Sequence, residues 1–274
     1  MLKKKVIGFI GAGNMGEALV KGLLGSKKVK PAQIIVCDPV KNRLTYMSET
    51  YRVGVTNKNV DIARKADILI LAVKPNIIEK VLKEIRGELL EEKLIISIAA
   101  GVTTDIINNQ LPHLSSVVRV MPNTPALVQE GASAIFLGEH VTKEAKDTVI
   151  EIFNSVGESV IVEDEQLMDV VTGLSGSGPA FVFLFIEALT DGGVKEGLKR
   201  DVASRLAVQT VYGAAKLVKE SSKHLGELKD MVTSPGGTTI AGLHILEKKG
   251  LKGVLMEAVE VATRRSKELS GKKG

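Results

Sequence analysis

Val6-Ile7-Gly8-Phe9-Ile10-Gly11-Ala12-Gly13-Asn14-Met15-Gly16 decides how the rest of the chain is read. Residues 6–10 form an apolar run that reads as a buried strand. The glycines at 11, 13 and 16 then fall in the spacing G-x-G-x-x-G, directly before a helical pattern over 14–25. Strand, glycine turn and helix in that order make a place for a pyrophosphate. Gly11 permits the tight turn, Gly13 lets backbone approach the phosphates, and Gly16 lets helix close on strand. The helix N-terminus adds amide donors carrying partial positive charge. A glycine-rich turn needed only for packing is the plainer alternative.

Outward from this unit the same rhythm repeats. Runs at 34–37, 68–73, 94–98, 117–121, 134–137 and 159–162 join 6–10 as candidate strands, several of them apolar without alternation and hence buried on both faces. Helical patterns such as 14–25, 41–51 and 77–87 lie between the first five strands. The fold class is therefore α/β, an N-terminal Rossmann-like doubly wound sheet with a largely parallel core. After about residue 163 the strands stop. Ala203, Leu206, Ala207, Thr210, Val211, Ala214, Ala215 and Val218 recur at helical spacing, and Leu251, Val254, Leu255, Ala258, Val261 and Ala262 make a second such face. The segment 179–189 is apolar nearly all round and holds Phe181, Phe183 and Phe185, which predicts a central helix buried from every side. So much apolar surface on helices alone points to a core completed by a second subunit. The expected domains are 1–163, which binds the dinucleotide, and 164–274, a helical dimerisation and substrate domain.

Composition narrows the function classes. The 274 residues carry 37 Lys and Arg against 32 Asp and Glu, a net charge of +5, and 44% are apolar, which excludes disorder. The lysines are scattered, and with three Tyr, six Phe and no Trp there is little to stack on bases, so no nucleic-acid partner is expected. The lone Cys37 forms no internal disulfide, which fits a reducing compartment, the cytoplasm. The longest apolar run, 180–186, stops at Glu187, well short of the roughly 20 residues of a bilayer span, so no membrane segment is expected.

Four further stretches lie where chemistry is done. Asp38 ends the second strand, the position of the acid that holds ribose hydroxyls and favours a free 2′-hydroxyl; its plainer role is a helix-entry cap. Lys41 and Arg43 follow closely enough to neutralise a 2′-phosphate, so NAD and NADP both stay open. Ala72-Val73-Lys74-Pro75 and Met121-Pro122-Asn123-Thr124-Pro125 stand at the carboxyl ends of strands, where open α/β sheets bind ligands, unless their prolines merely shape turns. In the helical half, Gly173-Leu174-Ser175-Gly176-Ser177-Gly178-Pro179 leads into the apolar helix. Thr233-Ser234-Pro235-Gly236-Gly237-Thr238-Thr239 precedes another helical pattern. A glycine and hydroxyl loop ahead of a helix offers converging amides to a small carboxylate, or simply an N-cap. His113, His140, His224 and His244 stand far apart without ligand spacing, so they read as surface or packing residues and no metal is implied. No G-x-S-x-G elbow with a plausible acid and histidine supports acyl transfer.

Taken together, these loops resemble the pyrroline-5-carboxylate reductases, over nearly the whole chain and in the family's order; the helical-half loops 171–180 and 233–239 are the most specific. Leu225 departs from the pattern, since the family usually has proline after His224. The resemblance implies NAD(P)H-dependent reduction of a cyclic imine, 1-pyrroline-5-carboxylate, to proline, the last step of proline synthesis. It implies cofactor contacts from Gly11, Ala12, Gly13, Asn14, Met15, Gly16, Asp38, Asn59, Ala72, Val73 and Lys74. Ala100, within 99–101, and Asn123 would lie near the nicotinamide. Ser234, Gly236, Gly237 and Thr238 would hold the substrate, and Thr239 would serve the reacting end. It further implies a homodimer with active sites at its interface, assembled in some members into a ring, a decamer.

Two other readings compete. β-Hydroxyacid dehydrogenases share this outline but place a catalytic lysine four residues after the third glycine of G-x-x-G-x-G, where Gly173, Gly176 and Gly178 are here followed by Val182. A non-catalytic nucleotide sensor would bind cofactor without turnover, and the intact 233–239 loop argues against it.

Overall fold

The computed structural model describes residues 2–90, 92–112 and 115–271; His113 lies outside the described residues. Strands and helices alternate through the first half. They are β1 (Ile7–Ile10), α1 (Asn14–Gly25), β2 (Ile34–Cys37), α2 (Lys41–Tyr51), β3 (Gly54–Thr56), α3 (Asn59–Lys65), β4 (Ile68–Leu71), α4 (Pro75–Ile85), β5 (Leu94–Ser97), α5 (Thr104–Asn108), β6 (Ser116–Met121), β7 (Gly131–Leu137), α6 (Lys143–Phe153) and β8 (Gly157–Ile161). One sheet holds all eight strands in the order β3-β2-β1-β4-β5-β6-β7-β8. Every pairing is parallel except β6 with β7, in a register that sets Ile7 beside both Ile34 and Ile68. The order reverses beside β1, the switch point where such sheets open a crevice.

The unbroken apolar runs have the expected cause. Ile7, Phe9, Ile34, Val36, Ile70 and Ile96 point to one face with Leu19, Leu23, Met47 and Phe153, whereas Ile10, Leu69, Leu71 and Ile95 join Ile62, Ile78, Leu82 and Ile85 on the other. Both faces are covered, so these strands are apolar at nearly every position, the buried Ser97 at the end of β5 being an exception. The seven expected strands are all present, with β7 and β8 starting earlier and β4 stopping at Leu71. The eighth, β3, escapes a hydrophobicity reading because Gly54-Val55-Thr56 is short and largely exposed at the sheet edge. A buried polar latch anchors the chain just beyond β8. Arg119 on β6 lies 3.4 Å from the Glu165 carboxylate, which also accepts from the Thr104 amide at 2.8 Å and the Thr104 hydroxyl at 3.0 Å.

From here on the chain is helical: α7 (Leu167–Val171), a π turn (Thr172–Gly176), α8 (Gly178–Lys195), α9 (Arg200–Glu220), α10 (Leu225–Met231), α11 (Thr238–Lys248) and α12 (Leu251–Leu269). The chain divides into two compact units, 1–177 with 261–274 and 178–260, so α12 runs from the second into the first. In the first unit the Ser266 hydroxyl donates to Asp169 at 2.7 Å, fixing the end of α12 to α7. In the second, α8 packs along α9, with Gly193 against Ala203.

The expectation that α8 is buried from every side is corrected. Phe183 is 64% and Leu184 66% exposed, and of α8 only Thr190 is buried. The physical reason is geometric: α9 covers one stripe of a helix that is apolar nearly all round from 179 to 189, and among the described residues no second layer covers the rest. The length argument against a membrane span is also corrected. Leu167–Lys195 forms one helical stretch of 29 residues in which an 18-residue window reaches mean hydropathy 1.5, sufficient by length and composition to cross a bilayer. Counting uninterrupted apolar residues missed it, because isolated polar and glycine residues do not break the helix.

Candidate active site

The glycine loop between β1 and α1 can be followed atom by atom. Gly11 has φ +106°, and a Cβ there would stand 2.4 Å from the Ala72 carbonyl oxygen, so both conformation and space require glycine. A Cβ on Gly16 would meet the Gly11 carbonyl at 2.6 Å, which is the close approach of helix to strand. Gly13 differs: nothing lies within 4 Å of where its Cβ would point. Its glycine is not demanded by the protein's own atoms, and the space in front of it is open to a ligand. Gly13 also occupies the N-cap of α1 with no side-chain cap, leaving that helix end to offer its amides outward.

Gly11 and Gly13 line a cleft of about 580 Å³ with Asp38, Asn59, Ala72, Val73, Lys74 and Ile77. The position of Asp38 follows from its bonds: one carboxylate oxygen accepts from the Ala12 amide at 2.8 Å and the other from the Val40 amide at 2.9 Å. Asn59 opens α3 and is held at both ends of its amide, accepting from the Cys37 thiol at 3.1 Å and donating to Glu84 at 2.7 Å. Burial, helped by the charges of Asp38, Asp61 and Glu84, pushes that thiol up to about 11. Lys74 caps α4 ahead of Pro75, so the proline there is the first residue of a helix.

Arg43 is placed differently from its neighbours in sequence. Its guanidinium bonds Glu17 and the Ala12 carbonyl and lies 4.9 Å from the Tyr46 ring centre, while the Tyr46 and Tyr51 hydroxyls donate to Glu17 at 2.9 and 2.7 Å. Burial works upward on the Glu17 carboxyl, but these hydrogen bonds outweigh it and leave it below its usual range. Sequence reading missed this cluster, since Glu17 and Tyr51 come together only when α2 docks on α1.

Ala100 belongs to a second cavity of the first unit, about 390 Å³, shared with Gly101, Thr172, Ser177, Arg265 and Ser266. The π turn supplies Thr172, and such turns often mark functional sites. Asn123 is not directed into either cavity; it accepts from the Ala132 amide at 2.8 Å and donates to the Ser175 carbonyl at 3.0 Å, joining β7 to the π turn.

In the second unit the 233–239 loop turns through Gly236 at φ +67° and enters α11 with Gly237 as N-cap and no side-chain cap. Elsewhere Thr103 and Thr142 cap α5 and α6 through their hydroxyls. Thr239, by contrast, lies inside the first turn of α11, half-buried, so it is not the capping residue. The Ser234 carbonyl accepts from the Gly237 amide at 3.1 Å, and a Cβ on Gly237 would lie 2.3 Å from the Ser234 hydroxyl oxygen. His224 is a cap as well as a surface residue: its Nδ1 accepts from the Gly226 amide while Glu227 accepts from its own amide. Leu225 thus stands at the first helical position of α10, where proline fits naturally. Among the described residues, no group of three or more His, Cys, Asp or Glu is placed to hold a metal.

Comparison with known proteins turns this geometry into a family. The model of pyrroline-5-carboxylate reductase dimerisation matches residues 165–269, and that of NADP oxidoreductase, coenzyme F420-dependent, matches 6–101. A pyrroline-5-carboxylate reductase of Methanosarcina acetivorans is 50% identical over 99% of this chain and 100% of its own length. The chain belongs to the pyrroline-5-carboxylate reductase family. Solved reductases agree: that of Coxiella burnetii matches with TM-score 0.93 at 38% identity, covering 99% of this chain and 100% of that one. The Plasmodium falciparum enzyme with NADP bound matches with TM-score 0.87 at 38% identity, covering 98% and 99%. A Rossmann-like half followed by the reductase dimerisation domain is therefore the architecture of this chain, as expected from the loops.

Proposed function

We propose that the chain reduces 1-pyrroline-5-carboxylate to L-proline with NADH or NADPH, the final step of proline biosynthesis. One observation carries this reading beyond family membership: a three-glycine cradle left open at Gly13 coexists with an uncapped α11 preceded by a glycine and hydroxyl loop. The first fits a dinucleotide pyrophosphate and the second a small carboxylate.

In this reading Gly11, Ala12, Gly13, Asn14, Met15 and Gly16 hold the pyrophosphate, Asp38 the adenosine ribose, and Asn59, Ala72, Val73 and Lys74 the remaining cleft wall. Ala100 lies toward the nicotinamide end. Asn123 acts there through the Ser175 carbonyl it fixes. Reduced nicotinamide, when bound, supplies the hydride that the imine carbon accepts. Ser234, Gly236, Gly237 and Thr238 take the substrate carboxylate on backbone amides and the Ser234 hydroxyl, orienting the ring. Thr239 donates its hydroxyl hydrogen bond to the imine nitrogen, the other polar atom of the ring, favouring the charge that develops there as the C=N π pair moves onto nitrogen, which takes its proton from solvent. Residues 1–163 then form the dinucleotide domain and 164–274 the dimerisation and substrate domain of a cytoplasmic homodimer, with a ring of dimers as the larger assembly and no nucleic-acid or membrane partner.

The assay is loss of reduced-nicotinamide absorbance on adding pyrroline-5-carboxylate, run with each cofactor. Absorbance falls only when the imine is present, and no loss with either cofactor sinks the assignment. In the same assay Thr239→Val, which keeps volume but removes the hydroxyl, lowers turnover roughly tenfold to a thousandfold, about 1.4–4 kcal/mol of transition-state stabilisation. A wild-type rate in that variant would leave the threonine a purely structural role.

A further inference from the structure

The cleft around Gly13 has an asymmetry of charge that bears on which dinucleotide it takes, an inference that rests on the function proposed above. NADH and NADPH differ only at the adenosine 2′ position, a hydroxyl in one and a dianionic phosphate in the other. A site for the phosphate needs a free cation there; a site for the hydroxyl needs an acceptor.

The acceptor is built in. Asp38 lines the cleft beside Gly11 and Gly13, and its two oxygens are held by the Ala12 and Val40 amides. A carboxylate oxygen offers two lone pairs, so each keeps one for a ribose hydroxyl. The carboxylate is thus locked in place on backbone, and swinging it aside to admit a phosphate breaks two amide hydrogen bonds.

The cation is held elsewhere. Arg43, the guanidinium nearest in sequence, does not line the cleft. Its Nε and Nη2 are spent on the Ala12 carbonyl and on Glu17, with Tyr46 against its plane. Glu17 is itself fixed by the Tyr46 and Tyr51 hydroxyls, so three side chains from α1 and α2 cooperate to hold the guanidinium. Releasing it would strand a partly buried carboxylate, a heavier loss than parting a fully exposed pair. Lys41 is exposed and does not line the cleft; the cations that do are Lys74, at the α4 end, and Lys80, 4.0 Å from Glu84.

We propose that this chain selects NADH over NADPH, with Asp38 as the specificity-determining residue and the Glu17–Arg43–Tyr46–Tyr51 cluster as the positioning device that withholds the guanidinium from a 2′-phosphate. The comparisons lean the other way, with a relative solved with NADP bound and an NADP oxidoreductase model matching residues 6–101, so the selection rests on this chain's own residues.

Binding of each reduced dinucleotide to the full chain, without substrate, is measured by calorimetry and by the rise in melting temperature. Wild type binds NADH at least tenfold more tightly than NADPH. Asp38→Ser, checked as folded by circular dichroism, weakens NADH and strengthens NADPH so that the ratio falls at least tenfold. Glu17→Gln, which releases Arg43, strengthens NADPH severalfold, and adding Arg43→Met to it cancels that gain. Equal affinities, or tighter NADPH binding, in wild type overturn the inference while leaving the proposed reaction standing. An unchanged ratio in Asp38→Ser overturns the role of that residue. Failure of both dinucleotides to bind sinks the proposed function itself, and the inference with it.

Discussion

In the sheet unit Ile7, Phe9, Ile34, Val36, Ile95 and Val118 are wholly removed from solvent, whereas in the helical unit Phe183, Leu184, Leu206 and Val254 remain 56–66% exposed. The residue types are alike and their surroundings are opposite. Burying one such side chain is worth roughly 1.5–3 kcal/mol, so the sheet unit has collected most of what its sequence offers and the helical unit has not. Exposed apolar surface on this scale, in a segment matching the reductase dimerisation model, is the surface that the proposed homodimer would cover. On that proposal the two units differ in what completes their cores: the sheet unit buries its own apolar residues, and the helical unit relies on a partner.

The sharpest way to break that contrast is to charge α8. Phe183→Glu with Leu184→Lys places two ions where the contrast requires an apolar contact, so association is lost altogether and the helical unit loses cooperative structure. The same pair of charges on a helix that merely faced water would be nearly neutral. Light scattering at micromolar concentration checks both forms. A folded monomeric wild type would show that the exposed face needs no cover.

A smaller effect is expected from the sheet unit's site, because there the ligand and the fold rely on different atoms. Gly13→Val puts a branched side chain into space that no protein atom uses, so dinucleotide affinity falls by about 100-fold or more while the melting temperature of the free protein barely moves. The corresponding change at Gly11 or Gly16 would drive a Cβ into backbone carbonyls and damage the fold as well. Unchanged affinity in Gly13→Val would put the pyrophosphate elsewhere.

The same contrast explains how much was legible in the sequence. The sheet announced itself because a strand covered on both faces must be continuously apolar, and the three glycines because their spacing is tied to a local turn. Segment 179–189 was legible as an apolar helix but not as an exposed one, since periodicity records what a helix will bury and not which molecule covers it. β3 was missed because an edge strand need bury little, and Gly54-Val55-Thr56 buries none of its residues. The 233–239 loop was readable through resemblance to relatives, its turn chemistry admitting an ordinary cap equally well. The Glu17–Arg43–Tyr46–Tyr51 cluster and the Arg119–Glu165–Thr104 latch had no local signal, because their members meet only through tertiary packing.

The smallest expected effect belongs to the completeness of burial in the sheet unit and shows only in alkali. Cys37 is 2% exposed, donates to Asn59, and has its thiol raised from 9.0 to about 11, first by burial and then by the nearby carboxylates. The proton is therefore held more firmly by the folded chain than by the unfolded one. Below pH 9 both forms keep it and the full contribution to stability is present. Between pH 9 and 11 the unfolded chain loses its proton first, so stability falls, and above about 11 both are ionised and the loss is complete. Two pKa units bound the change at about 3 kcal/mol. Cys37→Ala removes the titrating group, so the difference in denaturant midpoint between wild type and this variant is flat up to pH 9 and then shifts against wild type toward pH 11. A thiol open to solvent would give no such shift, since its pKa would be the same in both states. A difference that stays flat across pH 9–11 would mean that water reaches the floor of the cleft beside Asp38, and that the sheet unit is less thoroughly closed there than its buried strands imply.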